Sequence, residues 1–315
     1  MAYLVKKTGT LLLTLLAISF LVFLAFQIIP GDPVTKILGT NSTPELEAAL
    51  REELGLDKPF LQRYFLWLRG FVSGDMGRSY SYNMRVSDMI SGKFPITLTL
   101  SLMSFLLVIA ISIPAGVLLA RYEGGAADKI FLILNQVIMS MPAFFIGIVF
   151  CQVFGIELKL FQTGGFVNVS FAKEPGKYLI YLVFPALAIA LPRSAMAVKL
   201  LRGSILGEMR QDYIRTAYSH GNSRASALFS HALRNAVMPV VTFLAVTLSE
   251  IIAGSLIIEQ VFDLPGIGRL LLSSIMGRDY PVVQALVVII AAIVMFVNYL
   301  ADVIYQYVDP RIRFN

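Results

Sequence analysis

His220 and His231 are the only imidazoles in this chain and Cys151 is its only thiol, and none of them stands in a catalytic pattern. The two histidines share one polar stretch, with no third ligand and no nucleophile nearby in sequence, so a solvated imidazole explains each better than a metal site. Cys151 sits in an apolar run with no second cysteine for a disulfide or a C-x-x-C pair. There is no G-x-x-x-x-G-K-[ST] loop. Gly92-Lys93-Phe94 and Gly176-Lys177-Tyr178 lack both the upstream glycine and the following hydroxyl. The sequence therefore offers no catalytic residue, no metal ligand and no cofactor site. Its most distinctive chemistry is charge in apolar surroundings: Arg193, Glu250 and Asp302. An ionisable group in a bilayer costs about 2.5–3.5 kcal/mol or more, so such groups line a path or are paired. Arg193 follows Pro192, and Glu250 lies about halfway or further along an apolar run. These two are candidates for a translocation path or a buried pair. Asp302, near a span end, fits headgroup contact.

The elements that must position these charges are membrane helices. The 315 residues are 57% hydrophobic and only 15% charged, with mean hydropathy +0.74. Several apolar runs approach the length of about 20 residues that spans a bilayer. The expected fold is all-α and integral to the membrane, with helices at about 8–29, 95–119, 130–154, 179–198, 236–258 and 282–307. The first run exceeds a signal-peptide core and no A-x-A-like site follows, so it reads as a retained span. The net charge of +6 does not indicate nucleic acid, because the basic residues flank the spans as the positive-inside rule expects. Lys6, Lys7, Arg121, Lys129 and the arginines of the 199–235 insert fall on one side; Lys159, Lys173, Lys177, Arg269 and Arg278 fall on the other. Both termini and the insert are expected to be cytoplasmic. The division that follows is 1–29 tail and first span, 30–93 extracytoplasmic segment, 94–305 membrane-spanning core with the 199–235 insert, and 306–315 tail.

Pro114, Pro142, Pro185 and Pro192 interrupt the interior spans, each as a simple kink or as a break lining a path. In the 30–93 segment, Thr43-Pro44-Glu45 is a helix start and Gly55 suits its stop. The stretch PFLQRYFLWLRGF is amphipathic, with Phe60, Tyr64, Phe65, Trp67 and Leu68 set to lie on the membrane or to pack on the bundle.

The insert is ordered in pattern. A helix runs from Glu208 to about Ser219, Gly221 breaks it, and Asn222-Ser223 caps a second. The second sets Ala225, Leu228, Phe229 and Ala232 on one apolar stripe. The product is a helix–glycine–helix elbow suited to a partner's groove.

QDYIRTAYSHG followed by HALRNAVMPVV resembles the EAA coupling loop of type I ABC import permeases, in the dipeptide, oligopeptide and nickel branch. LGLDKPFLQRYFLWL, GDMGRSY, IIEQVFDLPGIGRLLLSSIMGRDYPVVQ and DPRIR are similar to that branch in the same order, so the likeness covers nearly the whole chain. The resemblance implies a paralogous second permease, two ATP-binding cassette subunits holding ATP and Mg, an extracytoplasmic binding protein, and a bacterial or archaeal plasma (inner) membrane. It places Asp212, Tyr213, Arg215, Thr216, Ala217 and Gly221 on the loop seated in the ATPase cleft: Gly221 for the turn, Ala217 for close approach, Asp212 and Arg215 for polar contact. Tyr218 and His220 depart from the basic residues common there, and Arg215-Thr216-Ala217 replaces the Glu-Ala start. Asp263, Pro265 and Gly266 are candidates for an outer gate or binding-protein contact. Peptides are the expected cargo, with nickel or a metal chelate as the alternative. A secondary transporter driven by an ion gradient, using Glu250 and Arg193 as its relay, is the rival from another class.

Overall fold

The computed structural model describes residues 2–28, 33–38, 43–53, 55–166 and 171–308. The DPRIR terminus, with Arg311 and Arg313, and the 30–32 stretch lie outside them. The described residues are almost wholly helical; the isolated bridge is between Arg78 and Arg85. Five helices are long and apolar enough to cross a membrane, or six if one bent pair counts as a span. By contacts the chain divides into two units, Met1–Ile96 with Gly266–Phe296, and Thr97–Pro265 with Val297–Asn315.

In the first unit, α1 (Ala2–Ile28) is one long apolar helix. Two short helices follow, α2 (Pro33–Leu38) and α3 (Pro44–Glu53), packed on each other. The start of α3 is as expected: the Leu46 N–H donates to Thr43 Oγ1 at 3.4 Å. Its end is closed by Gly55 at φ +64°, with Leu56 N–H bonded to the Arg51 carbonyl and Gly55 N–H to Glu52. The amphipathic stretch forms α4 (Phe60–Val72) and packs on α1. Tyr64 is buried, its hydroxyl 2.9 Å from Ser19 Oγ and its ring edge-on to Phe20, while Trp67 meets Phe23. Phe65 stays exposed. A hairpin across 77–86 leads into α5 (Val86–Ser91). Asp279 clamps that hairpin by accepting from Ser79 Oγ at 2.5 Å and from the backbone N–H groups of Tyr80 and Ser81 at 2.9 and 3.3 Å.

The spans of the second unit begin with α6 (Phe94–Arg121). The span expected at 130–154 is instead a bent pair, α7 (Ala126–Ser140) and α8 (Ala143–Phe150), the latter continuing as a π-helical stretch Cys151–Glu157. The chain bends by 101° between the two arms. Pro142 is the cause, since it forces Met141 into extended backbone at ψ 129°. Pro114, Pro185 and Pro192 all lie inside continuous helices. The fourth span, α9 (Pro175–Glu208), is much longer than 179–198 and takes in the start of the insert.

The elbow follows as α10 (Asp212–Ser219) and α11 (Arg224–Ala227), with a π-helical stretch Leu228–Ala232 and then α12 (Leu233–Ala236). Helices α14 (Ile267–Met276) and α15 (Tyr280–Val308) as far as Phe296 belong to the first unit, while α13 (Met238–Val261) belongs to the second. Helix α9 is the hub of this unit, packing on α7, α8, α12 and α13. Its buried face is built from small residues, among them Ala186, Ala188, Ala190, Ser194 and Ala197, which let neighbouring helices come close. Opposite, Gly116 leaves room for Leu201: a Cβ there would meet it at 2.9 Å.

Candidate functional site

The elbow is a turn between two helices closed over its own small core. Ile214, Ala227 and Ala232 are fully buried together, with Met209 against them. The turn is made by Gly221 at φ +84°. There, Asn222 N–H reaches the Ala217 carbonyl and Gly221 N–H reaches Tyr218, the pairing that satisfies the last carbonyls of a helix. The Asn222 side chain bonds the same Ala217 carbonyl at 3.0 Å. Ser223 caps the next helix by accepting from the Ser226 N–H. The apolar stripe differs from the expected one. Ala227, Leu228, Ala232 and Ala236 are buried, whereas Phe229 is 50% exposed. The π-helical turn at 228–232 adds about one residue to the period, which rotates Phe229 off the core face.

The residues assigned to the loop occupy different faces. Asp212 and Arg215 project outward and pair with each other at 3.2 Å. Thr216 is exposed, its hydroxyl turned back to the Asp212 carbonyl. Ala217 is buried, so its close approach is made inside the elbow. Tyr213 donates to Glu208 Oε2 at 2.5 Å and accepts from Asn235 at 3.2 Å, joining both ends of the insert. Burial, then the Glu208 bond, raise its hydroxyl above the usual tyrosine range. Around these lies a mixed exposed surface of Tyr213, Tyr218, Phe229, Asp212 and Arg215.

Two carboxylates absent from the sequence reading anchor the elbow. Asp128, buried in the first turn of α7, takes both Nε and Nη2 of Arg202 at 3.0 and 2.8 Å, and also the Gly124 N–H at 3.0 Å. Glu123, in the same α6–α7 turn, pairs with Arg224 at 3.0 Å and lies 3.8 Å from Arg210. For Asp128 an acid in the first turn of a helix was the available signal, but nothing local names the arginine partners of either carboxylate.

Within the membrane helices, Arg193 of α9 and Glu250 of α13 form an ion pair at 2.5 Å. Their side chains remain 40% and 44% exposed on this chain, so the pair is made but not enclosed. A second intramembrane acid was overlooked: Glu259 is fully buried and accepts from Thr97 Oγ1. We expect Arg193→Ala or Glu250→Ala alone to lower folded yield and transport, since each strands a charge costing about 2.5–3.5 kcal/mol. The double substitution should recover yield, though not transport. Membrane yield and uptake measured on all three variants decide it, and singles indistinguishable from the parent would show the pair to be dispensable.

Asp263 is exposed in the left-handed region at φ 55° and ends α13, with Leu264 N–H bonded to the Glu259 carbonyl. An aspartate tolerates that conformation better than most residues. Pro265 follows, and Gly266 is the N-cap of α14.

Sequence comparison identifies the chain. Residues 112–314 match the family described as binding-protein-dependent transport system inner membrane component, and residues 1–101 match its N-terminal region. The oligopeptide transport system permease protein AppB of Bacillus subtilis is 34% identical over 314 residues, covering 99% of each chain. A peptide transport system permease protein of Brucella abortus is 35% identical over 314 residues, covering 100% of this chain and 99% of its own. The peptide ABC transporter permease y4tP of Sinorhizobium fredii is 31% identical over 312 residues and 99% of each. Membership brings with it ABC-transporter partners such as an ATPase and a substrate-binding protein. The chain belongs to the family of inner-membrane components of binding-protein-dependent transport systems, and is an ABC transporter permease.

Proposed function

We propose that this permease forms, with a paralogous second permease, the membrane path of a peptide importer. The elbow carries the proposal: a self-supporting turn with aromatic and charged side chains outward is what a groove on an ATPase subunit needs to grip. In this reading both termini and residues 199–235 face the cytoplasm, and two ATPase subunits hold ATP and Mg. Asp212, Tyr213, Arg215 and Thr216 form the seated surface, while Ala217 and Gly221 keep its shape. Closure of the ATPase pair on ATP drags the elbow, and α9, continuous with it, rocks the spans between inward and outward openings. Coupling requires that docked states differ in contacts. The half-exposed Arg193–Glu250 pair then faces the path or the second permease instead of lipid. Asp263, Pro265 and Gly266 form the contact with the delivering protein or the outer gate.

Peptides are the preferred cargo because the relatives quoted above are named for peptide or oligopeptide transport, and nickel is not favoured. The test is ATPase activity of the complete reconstituted complex with its binding protein, across dipeptides, longer peptides and nickel chelates. Stimulation by a peptide class is expected. Stimulation by nickel chelates alone would overturn the cargo. No stimulation, with ATPase subunits failing to co-purify, would favour an ion-driven carrier.

A further inference from the structure

The first unit contains a cavity of about 880 Å³ that the transport reading does not use. Its charged lining is entirely basic: Arg51, Lys58, Arg63 and Arg78 border it, and among the described residues no aspartate or glutamate does. Lys58, Arg63 and Arg78 form no ion pair with any described carboxylate. Asp279 lies behind the wall, with its oxygens taken up by Ser79, Tyr80 and Ser81.

Gln284 also lines the cavity. It is 8% exposed, and its side-chain Nε2 has no hydrogen-bond partner. A buried amide donor left unmatched is uncommon and calls for an acceptor. Tyr80, another lining residue, is pushed up to about 12, first by burial and then by the nearby Asp279 charge, so its phenol keeps its proton. Guanidinium, ammonium, amide and phenol donors thus line one cavity with no carboxylate among its described lining residues, and the matching ligand is an anion rich in acceptor oxygens.

The remaining walls locate that anion. Phe23 and Phe26 belong to the last turns of α1, and Tyr280 is the first residue of α15. Both helices are apolar enough to span a bilayer, so the cavity lies where one leaves the membrane and the other enters it. That is headgroup depth, the level at which Trp and Tyr concentrate, and Trp67 lines the same space. We propose that this cavity seats the phosphate headgroup of an anionic phospholipid. Arg63, Arg78, Lys58 and Gln284 take the phosphate oxygens, and the aromatic side chains cover the glycerol and first acyl carbons. A peptide carboxylate would satisfy the donors but has no need of an aromatic wall at the bilayer edge.

The experiment uses the purified complete transporter in neutral detergent. Its thermal shift is titrated with phosphatidylglycerol, phosphatidylcholine, inorganic phosphate and an acidic dipeptide, and native mass spectrometry counts retained lipid. A saturable shift and retained adducts with phosphatidylglycerol, both absent with phosphatidylcholine, are expected. Arg63→Ala with Arg78→Ala should weaken the phosphatidylglycerol titration about 30-fold, each basic residue at a membrane surface being worth about a factor of five. Lys173→Ala with Lys177→Ala, an equal loss of charge elsewhere, should leave it unchanged. Should the arginine variant fail to assemble, Gln284→Leu serves: it removes the orphan donor while keeping volume, and should weaken the titration about tenfold. Equal shifts with both lipids, an effect reproduced in full by inorganic phosphate, or one seen only with the dipeptide would each overturn the proposal. So would variants that titrate like the parent.

Discussion

Asp128→Ala should lower the stability of the permease by about 3–5 kcal/mol, the usual result of removing one member of a buried, hydrogen-bonded ion pair. Three bonds converge on this carboxylate, two from Arg202 and one from the Gly124 N–H. Without it, the Arg202 side chain, only 19% exposed, is left as an unmatched cation against α7. The α6–α7 turn also loosens, and Glu123 in that turn is what Arg224 and Arg210 hold. Loss of Asp128 is therefore expected to uncouple as well as destabilise. Pairing Asp128→Ala with Arg202→Met separates the two effects. The double variant should regain most of the thermal stability, because apolar replacement of a buried pair is often neutral or better. On the proposed coupling role of the elbow, it should not regain peptide-stimulated ATPase activity. Glu123→Gln should cost no more than about 1 kcal/mol, as expected of more exposed pairs. Melting temperature and stimulated ATPase rate, measured side by side, test this. If Asp128→Ala melted within a degree or two of the parent, the anchoring role would be wrong.

Gly221→Val should abolish docking of the ATPase subunits while leaving membrane insertion intact. Space is not the obstacle, because a Cβ on Gly221 would meet nothing within 4 Å. The obstacle is the backbone, which at φ +84° costs an ordinary residue about 1–2 kcal/mol and a β-branched one more. Relief of that strain turns the Asn222 N–H away from Ala217, opens the turn and misaligns α10 with α11. Gly221→Ala should give a milder version of the same defect. Gly203→Ala is the control. Gly203 sits on an exposed face inside α9 with open space around it, and there alanine should add about 1 kcal/mol of helix stability and leave coupling unchanged. Co-purification of ATPase subunits with each variant is the readout, and retention by Gly221→Val at parental stoichiometry would remove the elbow from the coupling role.

These two residues mark the limit of what the sequence alone can specify. The features determined locally were legible: apolar runs long enough to span, the Thr43 start and Gly55 stop of α3, and the Gly221–Ser223 punctuation of the elbow. Each rests on backbone hydrogen bonds or side-chain caps reaching no more than about five residues. The identity of the fold class follows from composition, since so apolar a chain can bury itself only in lipid.

Tertiary structure decided what the charges do. Asp128 finds Arg202 at a separation of 74 residues, and Asp279 finds Ser79 at 200, pairings set by how the helices pack and by nothing in either neighbourhood. It also chose among the prolines. Pro142 became a 101° break, while α9 carried Pro185 and Pro192 through unbroken amid close-packed neighbours. The π-helical turn that exposes Phe229 belongs to the same class. A strict helical period predicts that ring on the core face, and only the packing of Ala227, Leu228 and Ala232 shows the extra residue that turns it out.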